Sequence, residues 1–165
     1  MRYADITECE ICNGRGVGVS IWITFCPLRC EGCFNKSIWD IDSGKEFDQA
    51  AHDKFMELVA RPYIDRVSIL GGEPLCAENA EDVTNLVQEI CARFLDKKIW
   101  IYTGYEWEKL TGWGAMAARK ADIVVDGAFK QELQDFRLAF RGSSNQRIID
   151  VKATLDSDHV IEYQI

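Results

Sequence analysis

Three cysteines, Cys26, Cys30 and Cys33, stand in a C-x3-C-x2-C spacing inside the nine residues Phe25–Cys33, and the aromatic Phe34 follows directly. Thiolates this close on one loop can converge on a common centre. Three of them can hold three irons of a [4Fe–4S] cluster and leave the fourth iron without a protein ligand, open to a small molecule. Taken alone, the loop also permits a structural zinc site or a set of buried thiols. A second pair, Cys9-x2-Cys12, keeps zinc in view. With Cys30-x2-Cys33 it makes C-x2-C-x17-C-x2-C, the spacing of a zinc ribbon, with Cys26 left over and the chain a binding module.

A second stretch with chemical capacity is Gly71-Gly72-Glu73-Pro74. Two residues without side chains let a ligand lie against free backbone N–H and C=O groups, the proline sets the next turn, and the carboxylate of Glu73 can face a cation. The two histidines, His52 and His159, have no nucleophile or base partner nearby in sequence and are not read as catalytic. Cys91 falls on the apolar face of a helix, and Cys76 reads as a small core residue.

The elements that must position these residues follow from periodicity. Val17, Val19, Ile21, Ile23 and Phe25 alternate with Gly18, Ser20 and Thr24, which is a strand that delivers the cysteine loop at its C-terminal end. A helix is expected over 48–61, with Asp48 as N-cap, then a strand over 66–70 ending in the glycine turn. Asn79 is expected to cap a helix whose inner face is Val83, Leu86, Val87, Ile90, Cys91 and Phe94. A strand at 99–102 ends in Thr103-Gly104-Tyr105, a weaker helix runs over 106–120, and a strand at 123–125 ends in Asp126-Gly127. The last elements are a strand over 148–154 and a short edge strand over 160–165, preceded at the other end of the chain by an irregular leader, 1–16. Alternating strands and helices predict an α/β fold with a mainly parallel sheet, here a partial, open β/α barrel in one domain spanning 1–165. In such sheets sites collect beyond the carboxyl ends of strands, where the cysteine loop, Gly71–Pro74, Thr103–Tyr105 and Asp126–Gly127 all fall.

Composition narrows the class. With 165 residues, 47% hydrophobic and 28% charged, the chain reads as globular. No run approaches the roughly 18 apolar residues of a membrane span, and no secretory h-region opens the chain. Seven cysteines, an odd and clustered set, argue against a disulfide framework and for a reducing, cytoplasmic setting. A net charge of −8 argues against affinity for nucleic acid or anionic membrane and implies a basic docking face on any protein partner.

The cysteine loop and Gly71-Gly72-Glu73-Pro74 together resemble the radical S-adenosylmethionine activases. Asn13-Gly14, Gly32–Ser37, Tyr102–Tyr105, Val125–Gly127 and Arg141–Arg147 are similar to the family of activating proteins for anaerobic ribonucleoside-triphosphate reductase, in register from about residue 13 to 150. That resemblance implies an enzyme in which Cys26, Cys30 and Cys33 ligate one [4Fe–4S] cluster whose open iron chelates S-adenosylmethionine. It implies that Gly71, Gly72 and Glu73 hold the methionine end and that Gly32, Cys33 and Phe34 lie near the adenosine. One electron then cleaves the sulfonium, and the 5′-deoxyadenosyl radical takes a hydrogen atom from a glycine of the large catalytic subunit of the reductase. Thr103 and Asp126 resemble positions for a monovalent cation, while Asn145 and Arg147 could contact the cofactor or the partner's glycine loop, or tie down a surface turn. The resemblance further implies a flavodoxin-like electron donor and leaves the assembled state open between a homodimer and a heterocomplex. Rival expectations within the radical enzymes are activation of another glycyl-radical protein and turnover of a small molecule such as a deazapurine precursor.

Overall fold

Alternation of apolar and polar residues along four short segments builds the centre of a seven-stranded sheet, seen in a computed structural model that describes residues 1–165. The chain runs β1 (Arg2–Glu10), β2 (Gly18–Ile23), β3 (Lys45–Glu46), α1 (Gln49–Val59), β4 (Arg66–Gly71), α2 (Ala80–Arg93), β5 (Lys98–Tyr102), α3 (Gly112–Lys120), β6 (Ile123–Asp126), β7 (Arg147–Asp150) and α4 (Val151–Leu155). The sheet order is β3-β1-β2-β4-β5-β6-β7. β2, β4, β5 and β6 are parallel neighbours, while β1 lies antiparallel to β2 and β7 antiparallel to β6. The result is the expected α/β class: an open sheet with a parallel centre and antiparallel margins, consistent with a partial β/α barrel.

The period of two decides which face meets the helices. Val19, Ile21, Ile23, Val67, Ile69, Ile99, Ile101 and Val124 join Phe55, Leu58, Val83, Leu86, Val87, Ile90, Ala117 and Val151 in one core cluster, so all four helices pack on the same face. Burial of these branched side chains on both strand and helix supplies the main driving force for the fold. The other face is covered too. Trp100, Ile123, Val125 and Ile148 form a smaller cluster there, alongside fully buried Ser20, Arg66 and Ser68. No helix is long and apolar enough to cross a membrane.

Arg66 is the unusual member of that second face. Its guanidinium donates to Glu10 Oε1 at 2.7 Å and to the Glu10 carbonyl at 3.2 Å, and Ser20 donates to the same carboxylate at 2.6 Å. A Cβ on Gly18 would sit 2.5 Å from the guanidinium, so glycine there is what admits the charged group. Burial alone would raise the Glu10 carboxyl, but hydrogen bonds from Arg66, Ser20 and Asn13 outweigh it and hold the group at about 2.

Several sequence expectations are corrected. The leader is a nine-residue strand, β1, not irregular chain. Its ladder to β2 slips between Tyr3 and Asp5 and again between Thr7 and Glu10, and such bulges erase the period-two pattern that would have announced it. The helix expected over 106–120 is split into a 3-10 turn at Trp107–Lys109 and α3, because Thr111 is extended and Gly112 takes φ +53°. The strand expected over 148–154 stops at Asp150, whose side chain accepts from the Ala153 N–H at 2.9 Å and caps α4. Residues 160–165 make only one isolated bridge, Glu162 with Ile149. Asp48 does cap α1, but Asn79 does not cap α2; it donates instead to the carbonyls of Thr24 at 2.9 Å and Glu73 at 3.1 Å.

The Arg66–Glu10 pair yields a test. Glu10→Ala leaves a buried, uncompensated guanidinium and is expected to destabilise the protein by about 3–5 kcal/mol in urea unfolding at neutral pH. The folded-state value of Glu10 lies below its ordinary 4.5, so its contribution is complete above that pH and is lost as the pH falls towards about 2. Over that window, stability in Glu10→Gln should fall less steeply than in the unaltered chain.

Candidate functional site

The parallel pairing of β2 and β4 runs beyond the strands themselves and builds the site. Ile23 pairs with Gly71 at the end of the ladder, and then Gly72 N–H donates to the Ile23 carbonyl and Glu73 N–H to the Phe25 carbonyl, each at 2.7 Å. A Cβ on Gly71 would lie 2.4 Å from the Ile23 oxygen, and one on Gly72 2.3 Å from the Phe25 oxygen. The two glycines therefore serve first to bring one backbone against another, in addition to leaving the cleft side clear. Phe25 turns the chain at φ 69°, and Phe25 N–H and Cys26 N–H donate to Ile38 and Trp39 carbonyls at 2.8 and 3.1 Å. The cysteine loop is thus fixed at its root from two sides.

Cys26, Cys30, Cys33 and Phe34 line one open cleft of about 200 Å³ with Gly71, Gly72, Glu73, Thr103 and Gly104. A larger hollow of about 560 Å³ at the opposite rim, among Arg15, Lys98, Asp122, Asp150 and Tyr163, carries neither thiol nor glycine turn. Burial pushes the thiols of Cys26 and Cys30 above their ordinary value, with Cys33 adding to the effect at Cys30; backbone N–H groups of Leu28 and Arg29 at Cys26, and of Phe129 at Cys30, oppose it. Such thiols ionise when a metal takes the place of the proton. All seven cysteines are free, and no fourth thiol or imidazole lines the cleft. That donor set fits a cluster bound through three irons with one left open.

Glu73 is fully buried. Its Oε1 accepts from Thr103 Oγ1 at 2.7 Å and from Leu75 N–H at 3.0 Å, and its Oε2 from Gly104 N–H at 2.7 Å. Burial nonetheless outweighs these donors and raises the carboxyl to about 7. A cation brought into the cleft would restore the full carboxylate.

The remaining expected residues are placed differently. Thr103 lines the cleft with its hydroxyl donating to Glu73, and Asp126 is held by Arg147 and by Trp107 N–H at 2.8 Å. Gly32 faces the side chain of Gln131, which would sit 2.5 Å from an added Cβ, and is not part of the cleft wall. Asn145 donates to the Ala128 carbonyl at 2.8 Å and lies outside the wall; its neighbour Gln146 lines the cleft instead and donates to the Gly127 carbonyl at 3.0 Å. Leu28, Asn35, Tyr102 and Phe129 also line it; Asn35 and Tyr102 lie in stretches that carry the family resemblance, but none of the four was assigned a site role from the sequence. For Asn35 a signal existed, its place directly behind the cysteines; its side chain donates to the Gly71 carbonyl at 3.0 Å and ties the two loops.

The zinc-ribbon reading fails on geometry. Cys9 and Cys12 flank Glu10, which pairs with Gly18 at the start of β2, whereas Cys30 and Cys33 lie beyond its end. At about 3.3 Å per residue, six strand residues separate the pairs by roughly 20 Å. No three histidine, cysteine or carboxylate side chains are arranged to hold a single metal ion.

The family model described as a 4Fe-4S single cluster domain matches residues 12–149. The chain is 34% identical over 148 residues to the anaerobic ribonucleoside-triphosphate reductase-activating protein of Enterobacteria phage T4, covering 90% of this chain and 93% of the relative. It is 36% identical to the protein of that name from Escherichia coli K12 and 37% to that of Salmonella typhi, in each case over 88% of this chain and 96% of the relative. The chain belongs to this activating-protein family. A family with one [4Fe–4S] cluster agrees with a cleft holding three thiols, and the match to the cluster-domain model begins at residue 12, which leaves Cys9 outside it.

Two substitutions probe this activase cleft. Gly72→Ala forces a methyl group into the Phe25 carbonyl and should cost about 1–3 kcal/mol, with iron lost on anaerobic gel filtration that the unaltered protein retains. Glu73→Gln turns an amide donor towards fixed N–H donors. A destabilisation of about 1–3 kcal/mol in denaturant unfolding is expected.

Proposed function

We propose that Cys26, Cys30 and Cys33 hold the cluster of an enzyme that activates anaerobic ribonucleoside-triphosphate reductase by placing a glycyl radical on its large catalytic subunit. The observation that carries this reading is the joining of three free thiols and the Gly71-Gly72-Glu73 turn in a single cleft. When bound, the cluster supplies the electron for reductive cleavage of S-adenosylmethionine to methionine and a 5′-deoxyadenosyl radical.

The residues of the chain bind and orient. Gly71 and Gly72 offer backbone to the methionine end, and the buried Glu73 carboxylate, held by Thr103, Gly104 and Leu75, faces its ammonium group. Phe34, 69% exposed at the cleft mouth, offers a ring to the adenosine. The backbone N–H of Phe129 at Cys30 is a hydrogen bond of the kind that tunes cluster potential. A flavodoxin-like protein is the proposed electron donor, and the free state of every cysteine suits a reducing, cytoplasmic setting.

The test begins with anaerobic purification, iron and sulfide analysis, and electron paramagnetic resonance of the reduced protein. About four irons per chain are expected. Addition of S-adenosylmethionine should perturb the spectrum, and addition of the reductase subunit should produce a glycyl-radical signal. Single alanine variants of Cys26, Cys30 and Cys33 should lose the cluster, while the Cys9→Ala/Cys12→Ala double variant keeps full iron. Zinc without iron would sink the reading. Cofactor cleavage with turnover of a small molecule, and no radical on the reductase, would shift it to a small-molecule enzyme.

A further inference from the structure

Besides the thiols, the polar side chains that line the cleft are Asn35, Glu73, Tyr102, Thr103 and Gln146. All but Asn35 are engaged within the chain or turned away from the opening. Glu73 is fully buried, and its carboxylate accepts from Leu75, Thr103 and Gly104. Thr103 donates to Glu73 and accepts from Tyr105 N–H at 3.1 Å. Gln146 Oε1 accepts from Gly142 N–H at 2.9 Å and Ser143 N–H at 3.1 Å, while its Nε2 donates to Gly127. The Tyr102 hydroxyl is sealed from solvent, and the charges it feels are those of Arg66 and Glu10.

Asn35 is different. Its Nδ2 donates to the Gly71 carbonyl at 3.0 Å. A carbonyl oxygen only accepts, so the nitrogen end of the carboxamide must face it, and the orientation of the amide is fixed by chemistry. Oδ1, at the other end, takes no hydrogen bond from the chain and is not sealed in the interior. Backbone bonds hold the residue in place independently of this side chain. Its own N–H donates to Cys33 Sγ at 3.3 Å, and its carbonyl accepts from Ile38 N–H at 3.1 Å in the 3-10 turn Lys36–Ile38. Asn35 therefore stands between a cluster thiol and the glycine turn with one oxygen free. A ligand of the open iron that lies along Gly71 and Gly72 presents its amino-acid end there. An acceptor attracts an N–H and repels a carboxylate, so of the two groups at that end the amino group is the one that fits.

We infer that Asn35 is a cofactor-binding residue: its Nδ2 holds the Gly71 carbonyl, and its Oδ1 accepts a hydrogen bond from the amino group of S-adenosylmethionine. The inference rests on the function proposed above and divides the work at the methionine end. Glu73 acts from behind the wall as a buried charge, and the direct side-chain contact belongs to Asn35.

The test compares two ligands on anaerobic, iron-loaded protein by equilibrium dialysis. One is S-adenosylmethionine; the other is 5′-methylthioadenosine, which keeps the nucleoside and lacks the amino-acid end. Asn35→Ala should keep about four irons per chain. It should bind S-adenosylmethionine about tenfold more weakly, the worth of one hydrogen bond, and 5′-methylthioadenosine as the unaltered protein does. Asn35→Asp keeps the size and an oxygen towards the cleft, and should retain the preference for S-adenosylmethionine. Equal weakening of both ligands in Asn35→Ala would mark a structural tie alone and overturn the contact, as would no weakening of either. Should Asn35→Ala lose its iron, Asn35→Asp decides: a retained preference supports the contact, and a lost one overturns it. Unaltered, iron-loaded protein that binds no S-adenosylmethionine would instead overturn the proposed function.

Discussion

Two backbone hydrogen bonds hold the site together. Gly72 N–H to Ile23 and Glu73 N–H to Phe25 extend the parallel β2–β4 ladder past the strand ends, so that the cysteine loop and the Gly-Gly-Glu turn become one rigid unit. Only residues without a Cβ can approach so closely. Once the turn is seated there, Glu73 is carried into the interior, where Thr103 and Gly104 from the end of β5 meet it, and Asn79 locks the turn to Thr24. Three neighbouring strand ends are thereby joined at Glu73, through its backbone N–H to the chain beyond β2 and its carboxylate to the chain beyond β5. The position of each thiol follows from this frame more than from the cysteine loop itself, whose own backbone takes positive φ at Phe25 and Arg29.

The far end of the same two strands is organised by a different constraint. Arg66 enters β4 with its guanidinium buried, and glycine at the start of β2 together with Glu10 of β1 makes that possible. A buried ion pair is weak as a source of stability, because desolvation offsets most of the attraction. It is strong as a constraint on pairing, since a slip of β1 by one residue would leave Arg66 uncompensated. The bulges in β1 keep Glu10 over Arg66 while the strand follows the sheet's margin.

Between these two ends the sheet is small and open, and the cleft it carries is correspondingly shallow. A seven-stranded sheet whose outermost members, β3 and β7, do not meet cannot enclose a reactive intermediate by itself. The segment over 127–146 covers part of the mouth and leaves Phe34 and Phe136 facing solvent.

The amino-acid sequence by itself disclosed the chemistry open to the chain and most of its frame. The thiol spacing, the Gly-Gly-Glu-Pro turn, the four parallel strands and the helices between them depend on local pattern, and local pattern is what short-range periodicity and spacing encode. What remained hidden depends on long-range contact. β1 was concealed because an edge strand with bulges has no clean alternation, and α4 because a β-branched run masked the cap at Asp150. Asn79 matched a helix cap by type, yet its side chain was claimed by two carbonyls from distant segments. Gly71 and Gly72 read as room for a ligand, and only the docked backbone of β2 revealed them as a packing requirement. The place of Gln146 rather than Asn145 at the cleft was decided by how β7 pairs with β6. Residue type and spacing determined which chemistry is possible; the pairing of strands, which brings together groups 19 to 36 residues apart, decided which groups can share it, because a hydrogen bond between loops exists only after the sheet has set their distance.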